Sequence, residues 1–272
     1  MKRIFGDGLS ELRDRELEVC IERLPQRPES ILEIGGGTGH QARALSQRFG
    51  RVSSIDLATS SYRAERVFDI QDYDGVHIPF PDSSFDCVFS SNTLEHIPHL
   101  DAFQQEIHRV LTPNGRCLHI LPTHTWRLWT SLTHYPSLPK LVAARLKHRQ
   151  EAKLEGEADQ ATISRGDSTQ LRGGPPSLSD LVRQGLRLAR SASFPKRHGE
   201  RGNVITELGY FHPRYWRWHF EHTGWQVEDD FPVGYLYTGY DLVGRRLSLE
   251  ARAALAGVLG SSCHAYVLSR SN

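Results

Sequence analysis

The sequence predicts an α/β fold, in which a doubly wound and mainly parallel sheet of seven strands has helices on both faces. Short apolar runs alternate with helical segments over the first 122 of the 272 residues. That alternation is typical of parallel strands joined by crossover helices. The run FDCVFSS at 85–91 is apolar on both faces, as a central parallel strand requires. Hydrophobic residues make up 38% of the chain, which is ordinary for a globular protein of this size.

The individual elements follow from periodicity and from the residues that end them. An N-terminal helix over 10–24 begins at the capping residue Ser10 and stops before two prolines. The predicted strands are 31–35, 51–56, 66–70, 85–91, 116–122, 225–234 and 264–270. The predicted helices are 40–49 before Gly50, 99–112 before the turn PNG at 113–115, and 213–222, with Pro213 at its first position and Gly224 after it.

Strand periodicity is lost after Pro122 and returns near residue 204. We therefore expect one domain over 1–272, with a core of 25–122 and 203–272, the N-terminal helix 10–24, and an inserted region at 123–202. The insertion has 14 Lys or Arg against 7 Asp or Glu. Basic amphipathic helices are predicted at 137–149 and 179–190.

Several classes of function have no support from the composition. The net charge of +1 does not suit a protein that coats nucleic acid, so we expect no nucleic-acid partner. Four scattered cysteines, none in a CxxC pair, are interpreted as buried small hydrophobes: Cys20, Cys87, Cys117 and Cys263. No run has the length and apolarity of a signal peptide or membrane span, so we expect a cytoplasmic location, with surface attachment to a membrane left open.

The segment ILEIGGGTGH at 31–40 places glycines between a strand and a helix. Glycines there let the backbone approach a ligand beside a helix N-terminus. The dinucleotide pattern G-x-G-x-x-G fails when it is counted from Gly35, because its third position is His40. Counted from Gly37, it ends at Ala42, which that pattern sometimes allows. A dinucleotide-dependent oxidoreductase therefore stays open as an alternative.

The spacing acid-x-Gly-x-Gly-x-Gly, which begins at Glu33, resembles motif I of the class I methyltransferases that depend on S-adenosylmethionine (SAM). The segment YDGVHIPFPDSSFDCVFSSNTLEHI at 73–97 is similar to the type 11, or small-molecule, group of that family. The resemblance covers about 30–122 and 204–270. It implies a Rossmann-like fold, SAM as the cofactor, and methyl transfer to a small-molecule, glycan or lipid-linked acceptor.

The resemblance also implies roles for individual residues. Glu33 would help to hold the methionine end of SAM, and Asn92 would face cofactor and substrate. Asp56 ends the second strand, where a carboxylate can accept hydrogen bonds from both ribose hydroxyls, although a loop or capping role is the alternative. Asp74 best matches the residue beside the adenine, with Asp69 and Asp72 as rivals. The expected cofactor-binding set is Glu33, Gly35, Gly36, Gly37, Gly39, Asp56, Leu57, Asp74, Gly75 and Asn92.

Methylation of a hydroxyl would also need a general base. His124, just past the fifth strand, is the candidate, because doubly wound folds bind ligands at that edge. An ordinary loop histidine is the competing interpretation, and His134, His198 and His212 are further possibilities. His96 suits either a base or a packing role. No cluster of His, Asp or Glu has metal-ligand spacing in the sequence, so no metal is expected.

In the family that this sequence resembles, segments such as 123–202 cover the substrate, so we expect a lid there. Trp126, Trp129 and Tyr135 could stack on a ring or lie at a membrane interface, or could simply pack the lid. The basic helices 137–149 and 179–190 suit an anionic membrane surface or a phosphorylated substrate, and a solvated basic face is the alternative. A non-catalytic scaffold with this fold is a further alternative. The sequence does not predict an oligomeric state.

Overall fold

The computed structural model describes residues 8–24, 27–139, 195–239 and 247–271. The chain divides into two compact units, Met1–Thr130 with Arg197–Asn272, and Ser131–Lys196. The larger unit contains the sheet. In the smaller unit, residues 131–139 are helical, and most of the predicted basic helix 137–149 and all of 179–190 lie outside the described residues.

The sheet has seven strands, as predicted. They are β1 (Ser30–Ile34), β2 (Arg51–Leu57), β3 (Gln71–Tyr73), β4 (Phe85–Ser91), β5 (Leu111–Pro122), β6 (Trp225–Pro232) and β7 (Cys263–Arg270). Their order is β3-β2-β1-β4-β5-β7-β6. The pairs among β1 to β5 are parallel, whereas β7 is antiparallel to both β5 and β6. The strand order therefore reverses between β1 and β4. Doubly wound sheets have their ligand-binding crevice at this position.

Seven helices accompany these strands in the described part of the chain. They are α1 (Gly8–Ile21), α2 (His40–Ser46), α3 (Leu100–Val110), α4 (124–139), α5 (Glu207–Tyr210), α6 (Pro213–His222) and α7 (Leu249–Leu259). The start of α6 is as the sequence predicts, since the ring of His212 accepts a hydrogen bond from the amide of Arg214 and Pro213 follows it. Gly224, with φ +89°, ends the segment.

The two faces of the sheet carry separate hydrophobic clusters, because successive strand residues point to opposite sides. On β1, Leu32 belongs to the cluster that includes α3 and α6, and Ile31 belongs to the cluster that includes α1 and α2. Val88 and Phe89 divide in the same way on β4. The expectation that β4 is buried on both faces is therefore confirmed.

The predicted third strand at 66–70 is wrong, because the strand lies at Gln71–Tyr73 and pairs with the end of β2. The run before it packs in another way. The amide of Val67 donates to the carbonyl of Thr38, and Phe68 lies against Gly39. Ile70 is buried but Val67 is 42% exposed, so the run contacts the glycine turn through part of its length and does not pair as a strand.

Other elements also differ from the sequence prediction. The N-terminal helix is Gly8–Ile21 where 10–24 was predicted, so Ser10 does not begin it, and β6 ends at Pro232 where 234 was predicted. β5 begins at Leu111, which pairs with Phe85, and the register then shifts before Arg116 pairs with Cys87, so the predicted turn at 113–115 is an irregularity within the strand. Helix α7 was not predicted. Its signals are the cap at Ser248, whose hydroxyl accepts from the amide of Ala251, and Gly260 at the end, but its Ala-rich sequence has no clear polar face.

All four cysteines are free and buried, which confirms their interpretation as small hydrophobic residues. Among the described residues, every helix is too short or too polar to cross a lipid bilayer.

Candidate functional site

The glycine turn after β1 needs backbone conformations that favour glycine. Gly35, Gly37 and Gly39 have φ values of +79°, +56° and +82°, in the left-handed region. A Cβ on Gly35 would overlap the side chain of Thr93, and one on Gly39 would lie 2.7 Å from Cβ of Phe68. A Cβ on Gly37 would lie 3.8 Å from the ring of Tyr62, an ordinary van der Waals distance, so Gly37 is less closely packed than Gly35 and Gly39.

The carboxyl group of Glu33 lies beneath the turn and is not directed at solvent. Its residue is 2% exposed, and the hydroxyl of Ser54 donates a 2.6 Å hydrogen bond to Oε2. A Cβ on Gly36 would overlap that hydroxyl and lie 3.0 Å from the same carboxylate oxygen. Burial raises the pKa of Glu33 to about 7, which the hydrogen bond from Ser54 opposes and the charge of Asp56 reinforces.

Asp56 stands at the end of β2, beside the turn. Its Oδ2 accepts from the amide of Gly37 at 3.1 Å, and its Oδ1 accepts from the amide of Leu57 at 2.8 Å. Each oxygen retains lone-pair capacity, because a carboxylate can accept about four hydrogen bonds. The side chain is partly exposed. The arrangement joins the glycine turn to a carboxylate that can accept further hydrogen bonds.

The three acidic candidates after β2 have different surroundings. Asp74 is exposed and accepts from the amides of Val76 and His77 and from the ring of His77. These hydrogen bonds, with that from the His77 ring the largest effect, lower the pKa of Asp74 to about 2. Asp72 is paired with Arg63 and Arg66.

The third candidate, Asp69, is exposed and precedes β3. Gly75, next to Asp74, has φ +84°, and a Cβ there would lie 2.9 Å from the side chain of Leu57. The structure therefore brings Gly75 and its neighbour Asp74 to the end of β2, whereas the oxygens of Asp72 are engaged by arginines.

Asn92 follows β4 and has φ +52°, which is uncommon for a residue other than glycine. Its backbone amide donates to the carbonyl of Ile120 at 2.8 Å. Its side-chain Oδ1 lies 3.6 Å from Sγ of Cys263. The next residue, Thr93, packs on Gly35. The loop after β4 is therefore in contact with the glycine turn, with Asn92 held in a strained conformation beside it.

His124 begins α4, directly after β5, and its ring stacks on that of His212 with centroids 4.6 Å apart. Burial lowers the pKa of His124, and the neighbouring rings of His212 and His264 lower it further. Nearby, Nε2 of His264 lies 2.9 Å from Asp230, which also contacts Arg217. This pairing could not be predicted from the sequence, because His264 and Asp230 come from two antiparallel strands that lie far apart in the chain.

The structure also brings together three groups that no sequence spacing connected. Glu95 and His96 follow β4 in a short 3₁₀ turn, and His198 lies against them, 102 positions later in the chain. The ring of His198 packs on Trp126 with centroids 4.5 Å apart. Trp126 is buried between His198 and Phe211, which fits a packing role for that tryptophan. His134 belongs to the smaller unit.

Part of the chain is similar to a known protein family. Residues 32–119 match the family described as a methyltransferase domain, type 11. The methyltransferase GfsG of Streptomyces halstedii is 30% identical over 122 residues, which are 40% of this chain and 44% of that protein. The ubiquinone/menaquinone biosynthesis C-methyltransferase UbiE of Cupriavidus pinatubonensis is 32% identical over 108 residues, 36% of this chain and 44% of that one. The matched region thus spans less than half the length of these relatives.

The fold as a whole also has solved counterparts. A chain from a complex that contains the Haloferax volcanii Trm112 methyltransferase activator aligns with 97% of this chain and 92% of its own length, with a TM-score of 0.55 at 13% identity. At that identity the likeness concerns the fold alone. It agrees with the Rossmann-like sheet observed here.

Proposed function

We propose that this protein transfers a methyl group from SAM to a small-molecule, glycan or lipid-linked acceptor, because residues 32–119 match the methyltransferase family model. We further propose that the acceptor atom is oxygen. A cytoplasmic location and the lid role of 123–202 are part of the same proposal.

One observation supports this function most directly. The amide of Gly37, within the left-handed glycine turn, donates to the carboxylate of Asp56 at the end of the adjacent strand. The turn and the carboxylate thus meet at the carboxyl edge of β1 and β2, where an open parallel sheet binds its ligand. A nucleoside can place its ribose hydroxyls on Asp56 while its remaining part passes along the glycine turn.

The residues present fit SAM at this position. Asp56 is partly exposed and keeps free lone pairs, Gly37 is less closely packed than Gly35 and Gly39, and the turn at 35–39 carries no basic side chain of a phosphate site. SAM, when bound, supplies an electrophilic methyl group on a sulfonium. We propose that Asp56 accepts from the ribose, that Leu57, Asp74 and Gly75 border the adenine, and that Asn92 faces the methionine part and the acceptor.

Glu33 acts from beneath the turn in this proposal. Its carboxyl group is buried under Gly36, so it supports the turn and adds negative charge near the cationic amino group of the methionine end. Gly35, Gly36 and Gly39 allow the close packing that this arrangement needs. The protein's contribution to the reaction is then alignment of the acceptor and exclusion of water.

We propose His124 as the base that takes the proton of an acceptor hydroxyl. Its lowered pKa keeps the ring neutral, and so able to accept a proton, at neutral pH. In the described residues its Nδ1 is buried without a hydrogen-bond partner. His212 suits the role less well, because its Nδ1 accepts a hydrogen bond from the amide of Arg214 and thereby caps α6.

The alternatives make different predictions about ligands. A dinucleotide-dependent oxidoreductase would use the same glycine turn and Asp56 for NADH. A non-catalytic scaffold would need neither the glycine turn nor the partly exposed carboxylate of Asp56. Cofactor binding therefore separates the first alternative from a methyltransferase, and turnover with an acceptor separates the second.

The experiment is calorimetric titration of the purified chain with SAM, with S-adenosylhomocysteine and with NADH, repeated on Asp56→Ala. We expect SAM and its product to bind and NADH not to bind. The variant should bind SAM about tenfold to a hundredfold more weakly, because it loses charge-assisted hydrogen bonds of about 1.5–3 kcal/mol. Thermal unfolding of the variant checks that it folds.

Asp101→Ala is the matched control, because it removes a carboxylate that is 74% exposed at the start of α3. It should bind SAM as the unaltered chain does. Binding of NADH in place of SAM would support the oxidoreductase, and binding of none of the three would contradict the proposed function. Once SAM binds, labelled SAM can be used to screen acceptors that offer oxygen, nitrogen or carbon.

A further inference from the structure

Glu95 is a buried carboxylate in an unusual situation. Its side chain is 1% exposed, and within the described residues both of its oxygens lack a hydrogen-bond partner. Burying a carboxylate without compensation is costly, and proteins normally supply a hydrogen bond, a paired charge or a metal ion. The surroundings of Glu95 therefore need a group that compensates its two oxygens.

Two imidazole rings are directed at one of these oxygens. Nε2 of His96 and Nε2 of His198 each lie 3.7 Å from Oε1 of Glu95, and one ligand atom from each of the three residues lies within 4.8 Å of the others. A distance of 3.7 Å is too long for a hydrogen bond. It is close to the separation of about 3.4 Å between two ligand atoms that share a tetrahedral ion at about 2.1 Å.

The third ligand is held in place by the backbone around it. Oε1 of Glu207 accepts from the amides of His198 and Gly199, at 2.6 Å and 2.9 Å. The amide of Glu200 donates to the carbonyl of Glu95 at 2.9 Å. Glu207 is itself fully buried and paired with Arg127 at 3.0 Å. The segment that carries His198 is thus fastened to Glu95 by its main chain, which leaves the imidazole to face the carboxylate.

We propose that Glu95, His96 and His198 form a binding site for a divalent first-row transition-metal ion, with Zn²⁺ as the representative. Two imidazoles and one carboxylate are a common donor set for such ions, and they leave a coordination position open. Mg²⁺ and Ca²⁺ prefer all-oxygen sites and are not expected to bind here. The proposal concerns ion binding alone, so it stands or falls independently of SAM binding.

The test uses the full chain without a histidine tag, treated with a chelator and then titrated with Zn²⁺ in a calorimeter, without SAM. We expect about one Zn²⁺ per chain, displaced by Co²⁺ with a visible absorption band, and no binding of Mg²⁺. His198→Ala removes one of three ligands, and Glu95→Gln removes the charge while keeping the shape. Each should weaken Zn²⁺ binding at least tenfold.

His222→Ala is the control, because it removes an exposed imidazole near the end of α6. It should leave Zn²⁺ affinity unchanged. Circular dichroism of each chelator-treated variant verifies folding. The absence of saturable Zn²⁺ binding by the unaltered chain would overturn the proposal. The proposal would also be overturned if both ligand variants bound Zn²⁺ as tightly as the unaltered chain, because the ion would then bind elsewhere.

Discussion

Glu33 shows how a single residue is governed by its surroundings. In the sequence it is one polar position within an apolar strand. In the fold its carboxyl group is buried under a glycine turn, where the hydroxyl of Ser54 donates a hydrogen bond to it. Burial disfavours the charged form, which is why the pKa of Glu33 rises to about 7. The same carboxyl in an unfolded chain would have a pKa near its ordinary value of about 4.3.

This difference in pKa predicts a pH dependence of stability. Between about pH 4.5 and 7 the folded chain binds a proton at Glu33 that the unfolded chain has released, so the free energy of unfolding decreases as pH rises through this window. The resulting decrease in the free energy of unfolding approaches about 3 kcal/mol by pH 8. Glu33→Gln keeps an acceptor for Ser54 and removes the titration, so its stability should fall less than that of the unaltered chain.

Urea unfolding of both proteins from pH 5 to pH 8 measures this contribution. Glu221→Gln, at a carboxylate that is 49% exposed, should reproduce the pH profile of the unaltered chain. Parallel profiles for Glu33→Gln and the unaltered chain would show that Glu33 has an ordinary pKa in the folded state.

At the scale of the element, the strand–turn–helix from β1 to α2 depends on how closely its backbone approaches neighbouring groups. The amides of Gly35 and Gly36 both donate to the carbonyl of Ile55, at 2.9 Å and 3.0 Å, which ties the turn to β2. Gly36 has no positive φ, so its need for glycine comes from space alone. A methyl group at that position would meet both Ser54 and Glu33.

Gly36→Ala should therefore destabilise the protein by about 1–3 kcal/mol, the usual cost of overpacking a well-filled site, and should also weaken SAM binding. Gly257→Ala is the matched control, since a Cβ there meets nothing within 4 Å in the interior of α7. Alanine is favoured over glycine in a helix by roughly 0.5–1 kcal/mol, so this variant should be slightly more stable. Chemical denaturation of both variants measures their free energies of unfolding, which should fall for Gly36→Ala and rise slightly for Gly257→Ala. A Gly36→Ala protein as stable as its parent would mean that the turn is looser than the structure indicates.

At the scale of the whole molecule, the sheet separates two hydrophobic clusters that share the same strands. Phe220 of α6 and Phe89 of β4 lie in different clusters, and both are buried. Because β1, β4, β5, β6 and β7 contribute residues to both clusters, loss of packing on one face also weakens the strands that support the other.

We expect Phe220→Ala and Phe89→Ala each to lower the free energy of unfolding by about 3–5 kcal/mol, and to shift the same unfolding transition. Urea denaturation monitored by circular dichroism tests this. Trp218→Ala, at an aromatic side chain that is 52% exposed on the same helix as Phe220, should cost less than about 1 kcal/mol. Separate transitions for the two phenylalanine variants would show that the faces unfold independently.

Much of the fold could be predicted from the sequence, because its signals are local. The apolar runs of β1, β2 and β4, the glycines at 35–39 and the Pro213 and Gly224 boundaries of α6 all act through near neighbours in the chain. The third strand could not be predicted, because Phe68 and Ile70 in the run at 66–70 pack against the glycine turn, and strand pairing begins only at Gln71.

The chain by itself determined the alternation of strands and helices, the left-handed glycine turn and the carboxylate of Asp56 at the end of β2. Only the tertiary structure decided that Asp72 pairs with arginines while Gly75 lies against Leu57, and that His198 meets Glu95 across 102 intervening positions. The physical reason is the range of the interactions. Turn chemistry and periodicity depend on a few adjacent residues, whereas the partner of a buried charge is chosen by how distant segments pack.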